Sequence, residues 1–189
     1  MNAPAPITAE RWRLRASDFE LLFEAGALGE VRRAELIDGD IYGMSPQATR
    51  HSRAKTRLAA AIADELAAIG SDLEAFVEVS VIVAANSVPE LDIAVSTYKG
   101  NHFMPADTVA LVIEVSDTTL AIDLGRKADL YAGAGIPEYW VVDLAEHRVL
   151  MHADPDENGF RGQLDIPFGE PLISATIAGL ELRNVRLVE

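Results

Sequence analysis

Apolar positions recur at helical spacing in two stretches of the first seventy residues. Ser17 is followed three positions later by Glu20, which is the spacing of a capping box and predicts a short helix over 17–26. A longer helix is expected over 51–69, because its apolar residues form one stripe at 100° per residue. The stripe contains Ala54, Leu58, Ala61, Ile62, Leu66 and Ile69.

Other segments have the continuous apolar and β-branched composition of strands. Asp38-Gly39 separates two such segments, 34–37 and 41–44, and is a strong signal for a β-hairpin. Further strands are expected at 76–83, 91–95, 109–115, 139–144 and 148–152. The segment 109–115 is apolar except for Glu114, which is typical of a strand that is covered on both faces.

The remaining pattern favours one α/β domain. Residues 121–134 have helical spacing and are followed by Gly135 and Pro137, which end helices. Beyond residue 152, glycine and proline are frequent, which predicts short strands and loops. Strands that alternate with helices in this way predict a mixed central sheet flanked by helices.

Composition is that of a globular protein. The chain has 189 residues, 49% of them hydrophobic, and no cysteine, so it fits one domain without disulfides or thiolate metal sites. No apolar segment approaches the length of a membrane helix, and the first ten residues lack the pattern of a signal peptide. A cytoplasmic location is expected.

The net charge of -14 argues against a simple nucleic-acid-binding surface, since such surfaces are usually basic. The charge is unevenly distributed, however. Up to Ala60 the chain has nine Lys or Arg against eight Asp or Glu, and after it seven against twenty-two. Any surface for nucleic acid is therefore expected in the N-terminal third, although acidity that serves only solubility explains the composition equally well.

Two carboxylates are candidate metal ligands. Glu114 and Asp92 each lie inside an apolar strand segment, where an unpaired buried carboxylate is costly. Oxygen ligands of this kind suit Mg²⁺ or Mn²⁺, which bind phosphate through their remaining positions. The alternative for Glu114 is a solvent-facing position at a strand end. The four histidines lack the close spacing of a zinc helix motif, so zinc is disfavoured.

Three further residues are candidates for the same site. Lys127 lies one helical turn from Asp123, and its ammonium could stabilise charge on phosphate or orient a water molecule. An exposed ion pair with Asp123 is the alternative. Glu35 precedes the hairpin turn and could supply a third acidic group, or it could face solvent.

His51 falls on the apolar stripe of its helix and so points inward at the helix N-terminus. It is a candidate accessory residue near a metal, and a buried structural histidine is the alternative. Arg50, Arg53 and Arg57 lie off the stripe, where they could contact phosphates or face solvent.

An ordered set of motifs resembles the Uma-type restriction endonuclease family, a bacterial group within the PD-(D/E)XK nuclease superfamily. The motifs extend from Ser17 to Val188. They are Ala34-Glu35-Leu36-Ile37-Asp38-Gly39-Asp40, Met44-Ser45-Pro46 with His51, Pro89-Glu90-Leu91-Asp92, Val112-Ile113-Glu114-Val115-Ser116, Lys127 with Tyr131, and Gly135-Ile136-Pro137-Glu138-Tyr139-Trp140-Val141-Val142-Asp143.

The resemblance implies a restriction-endonuclease-like core in a single domain over 17–189, with residues 1–16 as an N-terminal extension. It also implies that Asp92 and Glu114 bind the metal, with the Val115 carbonyl as a further ligand and Glu35 as the upstream acidic residue. Leu91 stands where proline is common in the family, which changes the start of the strand but not the ligand.

A second departure from the family pattern concerns the lysine. Ser116 stands where the superfamily motif places a lysine, and Lys127 resembles a lysine relocated to the following helix. Such relocation is known in the superfamily. Ser116 and Asp123 are therefore accessory candidates, and Lys127 is a catalytic candidate.

Three functions are compatible with these residues. The first is a magnesium- or manganese-dependent endonuclease, acting on nucleic acid, with DNA expected, and assembled as a homodimer that pools two N-terminal thirds. The second is a catalytically idle module with the same fold that serves dimerisation or partner binding. The third is a hydrolase of a small phosphoester, which needs no basic groove.

Overall fold

The computed structural model of the chain describes residues 11–29, 33–44 and 46–187. Ser45 of the family motif and most of the expected N-terminal extension lie outside the described residues. The helices are α1 (Ala16–Glu24), α2 (Thr49–Ala68), α3 (Leu120–Ile122) and α4 (Ala128–Gly133), with a π-helical turn at Asp123–Lys127 that joins α3 to α4 and a 3₁₀ turn at Ala106–Thr108. The strands are β1 (Ala34–Ile37), β2 (Asp40–Gly43), β3 (Glu74–Ile82), β4 (Glu90–Ser96), β5 (Met104–Pro105), β6 (Val109–Ser116), β7 (Glu138–Asp143), β8 (Arg148–Asp156), β9 (Gly159–Pro167), β10 (Leu172–Ile173) and β11 (Glu181–Leu182).

The hairpin of β1 and β2 turns at Asp38-Gly39. Both residues have positive φ, 51° and 81°, as a two-residue type I′ turn requires. Two backbone hydrogen bonds, from Leu36 N to Val88 O at 3.1 Å and from Val88 N to Leu36 O at 2.7 Å, attach the hairpin to the connection between β3 and β4. The hairpin is therefore fixed beside the start of β4.

Seven strands form the central sheet in the order β5-β3-β4-β6-β7-β8-β9. The β3–β5 and β6–β7 pairs are parallel, and the other pairs are antiparallel. The sheet is therefore mixed. β4 and β6, the strands that bear Asp92 and Glu114, are neighbours near its centre.

Both faces of the sheet are covered by helices. The long helix α2 packs on one face through its apolar stripe, and the residues from Leu120 to Gly133 cover the other face. Side chains of each inner strand alternate between these two layers, as their continuous apolar sequence predicts. Within the described residues, no helix is both long and apolar enough to cross a bilayer.

Three details differ from the sequence-based expectations. Helix α2 ends at Ala68, and Ile69 is 36% exposed because it lies beyond the last turn rather than on the buried stripe. The helix expected over 121–134 is interrupted by the π-helical turn. The C-terminal region also contains β9, a nine-residue strand where only short strands were expected. Most of its side chains are exposed, so its sequence lacks the apolar pattern of a strand, but its backbone groups pair with β8.

Glu138, at the start of β7, holds the C-terminal region against the sheet. Its buried carboxylate accepts hydrogen bonds from Trp140 Nε1 at 2.7 Å, Ser174 Oγ at 2.6 Å and Thr176 Oγ1 at 2.8 Å. The backbone amides of Ala175 and Thr176 also donate to it. Glu138 is thus satisfied within the fold and takes no part in the site described next.

Candidate active site

A cavity of about 420 Å³ opens where the hairpin, the start of α2, the adjacent ends of β4 and β6, and the π-helical turn meet. Seven residues that the sequence analysis named as catalytic candidates, metal ligands or accessory candidates line this cavity. They are Glu35, Asp92, Glu114, Lys127, Val115, His51 and Asp123. The tertiary structure therefore brings together residues that are spread over more than ninety positions of the sequence.

Asp92 and Glu114 lie on adjacent antiparallel strands, one position beyond the Ile93–Ile113 pair. The backbone amide of Asp92 lies 3.4 Å from Glu114 Oε2, and the amide of Val115 donates to Asp92 Oδ2 at 2.9 Å. Both carboxylates are nearly inaccessible, with exposed fractions of 6% and 3%. The alternative in which Glu114 faces solvent is therefore wrong.

Asp92 is surrounded by hydrogen-bond donors from α2 and the segment before it. His51 Nε2 lies 3.1 Å from Oδ2, and Lys55 Nζ and Gln47 Nε2 each lie 3.3 Å from Oδ1. Burial alone would raise the pKa of Asp92, but the interactions with His51, the Val115 amide and Lys55 outweigh burial and hold this pKa well below its usual range. Asp92 is consequently a carboxylate at every physiological pH.

Glu114 has the opposite electrostatic environment. Burial raises its pKa to about 8, and the nearby charges of Asp92 and Asp123 add to this effect. Lys127 Nζ lies 3.0 Å from Oε1, and the Tyr131 hydroxyl donates to the same oxygen at 2.6 Å; both favour the charged form of Glu114 without offsetting its burial. A further cation is needed to keep Glu114 fully ionised near neutral pH.

Lys127 lies at the end of the π-helical turn, with its ammonium among three carboxylates. The distances from Nζ are 3.0 Å to Glu114, 3.6 Å to Glu35 and 4.0 Å to Asp123. Burial would lower the pKa of Lys127, but these three carboxylates outweigh burial and raise it. Lys127 is therefore a permanent cation and is not the exposed partner of Asp123 alone.

Glu35 reaches the cavity because the hairpin is fixed beside β4. Its carboxylate is 6% exposed and accepts a hydrogen bond from the backbone amide of Glu90 at 3.1 Å. The isolated bridge between Leu36 and Val88 sets this position. The alternative in which Glu35 faces solvent on a half-buried strand is therefore wrong.

Ser116 does not line the cavity. Its buried hydroxyl lies 3.5 Å from Thr119 Oγ1, and Thr119 donates to Asp123 Oδ2 at 2.6 Å. Burial raises the pKa of Asp123, while Lys127 and these two hydroxyl groups act in the other direction. The serine in the superfamily's lysine position thus helps to hold Asp123, which in turn lies beside Lys127.

The charges around the cavity do not balance. Among the lining acids, Glu90 is paired with Arg33 and Asp117 with Arg50, both through guanidinium groups. Three other carboxylates, those of Glu35, Glu114 and Asp123, surround the one ammonium of Lys127. The carboxyl groups therefore outnumber the cation, and once ionised they would offer the oxygen donors that Mg²⁺ or Mn²⁺ fits.

A group of three close ligand atoms is found elsewhere in the described residues. Glu20, Glu24 and His102 can bring one ligand atom each within 4.8 Å of one another, near α1 and largely exposed. None of these residues lines the cavity. Among the described residues, the acids of the cavity do not form such a group of three, so protein ligands there would fill only part of an octahedral shell. Mg²⁺ commonly keeps several waters in this way.

The sequence did not reveal the role of Lys55. It follows His51 by one helical turn, is 3% exposed, and contacts Glu78 Oε1 at 2.6 Å and Gln47 Oε1 at 2.7 Å in addition to Asp92. The sequence signal that could have identified Lys55 is its position in α2 between Ala54 and Leu58, both of which are buried.

Glu78 and Tyr131 were also missed as members of the site. Glu78 lies in β3 with a φ of 54°, a strained conformation for a residue with a side chain, at the strand position level with Asp92. Tyr131 was visible in the sequence only as a motif residue, and its contact with Glu114 depends on the packing of α4 against β6.

Comparison with known proteins identifies the family of this fold. Residues 17–186 match the model of the Uma2 family, which is described as "Putative restriction endonuclease". No curated protein matches the chain. Among solved structures, the chain is similar to a "putative nuclease belonging to DUF820" from Anabaena variabilis, with 16% identity, a TM-score of 0.56, and coverage of 75% of this chain and 80% of that one.

The identity of 16% is too low to transfer a function, but the structural similarity confirms the α+β fold with a mixed central sheet flanked by helices. The family match covers nearly the whole of the described chain and spans every residue that lines the cavity. The protein belongs to the Uma2 family of restriction-endonuclease-like proteins.

Proposed function

We propose that this protein is a divalent-metal-dependent nuclease that hydrolyses phosphodiester bonds. The observation that carries the proposal is the convergence of Asp92, Glu114, Glu35 and Lys127 on one cavity, in which carboxyl groups outnumber cationic side chains. The family of restriction-endonuclease-like proteins makes nucleic acid the expected substrate class.

Asp92 and Glu114 would hold the metal, and the Val115 carbonyl is the further ligand that we propose. A bound Mg²⁺ or Mn²⁺ would supply Lewis-acid polarisation of the phosphate. The pKa values are compatible with metal binding by both residues. Asp92 is ionised without the metal, and Glu114 would lose its proton when the cation binds. His51 and the Val115 amide orient the Asp92 carboxylate through hydrogen bonds.

Lys127 would act on the reacting groups as a hydrogen-bond donor. Its raised pKa excludes a role as general base, since the ammonium stays protonated. Glu114, Glu35 and Asp123 hold the ammonium in a fixed place, so that it can orient a water molecule or stabilise charge that develops on phosphate. Glu35 thereby positions Lys127.

Among the described residues of the N-terminal third, four arginines are paired with carboxylates. Arg11 and Arg13 pair with Asp40, Arg33 pairs with Glu90, and Arg50 pairs with Asp117. Phosphate binding by one protomer must therefore depend on the metal and Lys127 more than on a basic groove. This is the reason why we also propose a homodimer, in which two protomers contribute to one nucleic-acid surface.

The decisive experiment combines cleavage with metal binding. Purified protein should cleave DNA or RNA in the presence of Mg²⁺ or Mn²⁺ and lose this activity in EDTA, while Asp92→Ala should lose both activity and metal binding in titration calorimetry. Asp64→Ala, which alters an exposed carboxylate on α2, is the matched control and should behave like the wild type.

Two outcomes would replace the proposal. Hydrolysis of a small phosphodiester without cleavage of any nucleic acid would identify a small-phosphoester hydrolase. Absence of both metal binding and hydrolysis would identify a catalytically idle module.

A further inference from the structure

A second cavity of about 170 Å³ adjoins the first, beside the hairpin of β1 and β2. Three residues line both cavities, namely Glu35, Ile122 and Lys127. A ligand whose phosphate lies next to Lys127 could therefore extend directly into the second cavity. Nothing in the chemistry of the acidic site uses this space.

The lining of the second cavity is aliphatic and aromatic. Ile37, Ile122 and Leu130 supply apolar surface, and Tyr42 supplies an aromatic ring. Ile122 and Tyr42 are 54% and 44% exposed, so both are accessible to a ligand at the edge of this cavity. Part of the apolar surface of each side chain is therefore available within the second cavity.

Arg126 gives this cavity a charge that differs from that of the acidic site. Its guanidinium carbon lies 5.7 Å from the centre of the Tyr42 ring, in cation–π geometry, and its Nη2 contacts Asp38 Oδ2 at 2.6 Å. The Asp38 contact holds one end of the guanidinium beside the cavity. An aromatic ring and a guanidinium plane that meet beside aliphatic side chains form a stacking surface for a flat, π-bonded group.

We propose that the second cavity binds the base of a nucleotide next to the scissile phosphate, and that the preferred substrate is a strand with an unpaired base. The proposal rests on the proposed nuclease function, because it assigns the phosphate to the neighbouring site. A paired base inside a duplex has both faces covered by stacked neighbours and cannot enter such a cavity unless it leaves the stack. Single strands, ends and flipped nucleotides meet this condition.

The charges of the two cavities complement the parts of a nucleotide. The acidic cavity requires a metal before it can accept phosphate, whereas the second cavity combines apolar surface with two cations, Arg126 and Lys127, and one carboxyl group, that of Glu35. Stacking is tolerant of base identity, because every base has a π face. We therefore expect selectivity for unpaired over paired nucleotides, without a strict sequence preference from this cavity.

The test compares three fluorescein-labelled probes of the same length by anisotropy: single-stranded oligodeoxyadenylate, an abasic strand, and a blunt duplex. Ca²⁺ serves as the metal so that binding is measured without turnover. The wild type should bind the single strand about fivefold or more tighter than the abasic strand, as expected for one stacked base. The single strand should also bind tighter than the duplex.

Variants of Tyr42 distinguish stacking on its aromatic ring from binding of the strand through other contacts. Tyr42→Leu should remove the preference for the single strand over the abasic strand, whereas Tyr42→Phe should retain it because the ring remains. Arg126→Met, a second test at the same surface, should weaken the preference. Phe23→Leu is the matched control, since Phe23 is 59% exposed but lines neither cavity.

The experiment tests the base subsite and the nuclease function independently. Equal binding of single and abasic strands by the wild type, tighter binding of the duplex, or an undiminished preference in Tyr42→Leu would overturn the base subsite, even if the protein cleaves DNA. A Tyr42-dependent preference for bases would support the subsite even if Mg²⁺ and Mn²⁺ produced no cleavage, which would count against the nuclease function alone.

Discussion

Lys127 Nζ lies 3.0 Å from Glu114 Oε1, although the two residues lie on a helical turn and a strand that are separated by a loop. The π-helical turn at Asp123–Lys127 and the packing of α4 on the sheet bring the ammonium over the strand end. We propose that Lys127 thereby replaces, from another element, the lysine that the superfamily motif places at position 116.

Lys127→Met should reduce cleavage by about 100-fold or more, because it removes a fixed donor beside the phosphate site. Metal binding should be retained or tightened, since one competing cation is lost. Asp92→Asn should weaken metal binding directly. Cleavage rates and titration calorimetry on both variants check this separation, and Lys99→Met, at an exposed lysine paired with Glu74, is the matched control. Cleavage at the wild-type rate by Lys127→Met would disprove the relocated-lysine role.

Metal affinity should rise with pH up to about 8 and then level off. The pKa of Glu114 is raised to about 8, so below that pH each bound ion displaces a proton from this carboxylate. The increase is at most about tenfold per pH unit for one proton. Calorimetry in two buffers with different ionisation enthalpies measures the proton release directly. Constant affinity between pH 6 and 8 would contradict the raised pKa.

The same raised pKa affects the stability of the metal-free protein. The folded state retains a proton on Glu114 that the unfolded state releases above its ordinary pKa of 4.5. The contribution of Glu114 to stability therefore falls as pH rises from about 4.5 to about 8. Urea denaturation across this range should show a steeper decline in the wild type than in Glu114→Gln, because only the wild type contains the Glu114 carboxyl group.

Lys55→Met should lower the free energy of unfolding by about 1–3 kcal/mol. The change leaves Asp92 and Glu78 close together without the ammonium that joins them, and the loss is moderated because the Glu78 side chain is 44% exposed. Urea denaturation in EDTA measures the effect. Mg²⁺ should restore part of the lost stability in this variant. An unchanged midpoint would show that the buried lysine contributes nothing to the metal-free fold.

A homodimer is expected in solution. The proposal is that the N-terminal thirds of two acidic protomers together form one surface for nucleic acid, since in each protomer four arginines of this region are paired with its own carboxylates. Multi-angle light scattering should give twice the chain mass of 20.4 kDa. A monomer at high micromolar concentration would contradict the expectation.

Much of the fold could be predicted because local signals determine it. The Asp38-Gly39 turn follows from the need for two positive φ values, and the apolar stripe of α2 follows from helical periodicity. Glu114 was identifiable for a similar reason, since a charge within a continuous apolar strand must find a partner.

The partners themselves depend on the tertiary structure. The sequence predicted buried carboxylates at positions 92 and 114, with a solvent-facing Glu114 as the alternative, but only the pairing of β4 with β6 made them neighbours. Likewise, Lys55 became a partner of Asp92 through the packing of α2, and Glu35 reached Lys127 through the bridge between the hairpin and Val88. Local patterns encode periodicity and burial, whereas contacts between distant charges depend on how whole elements pack, and no local pattern specifies that.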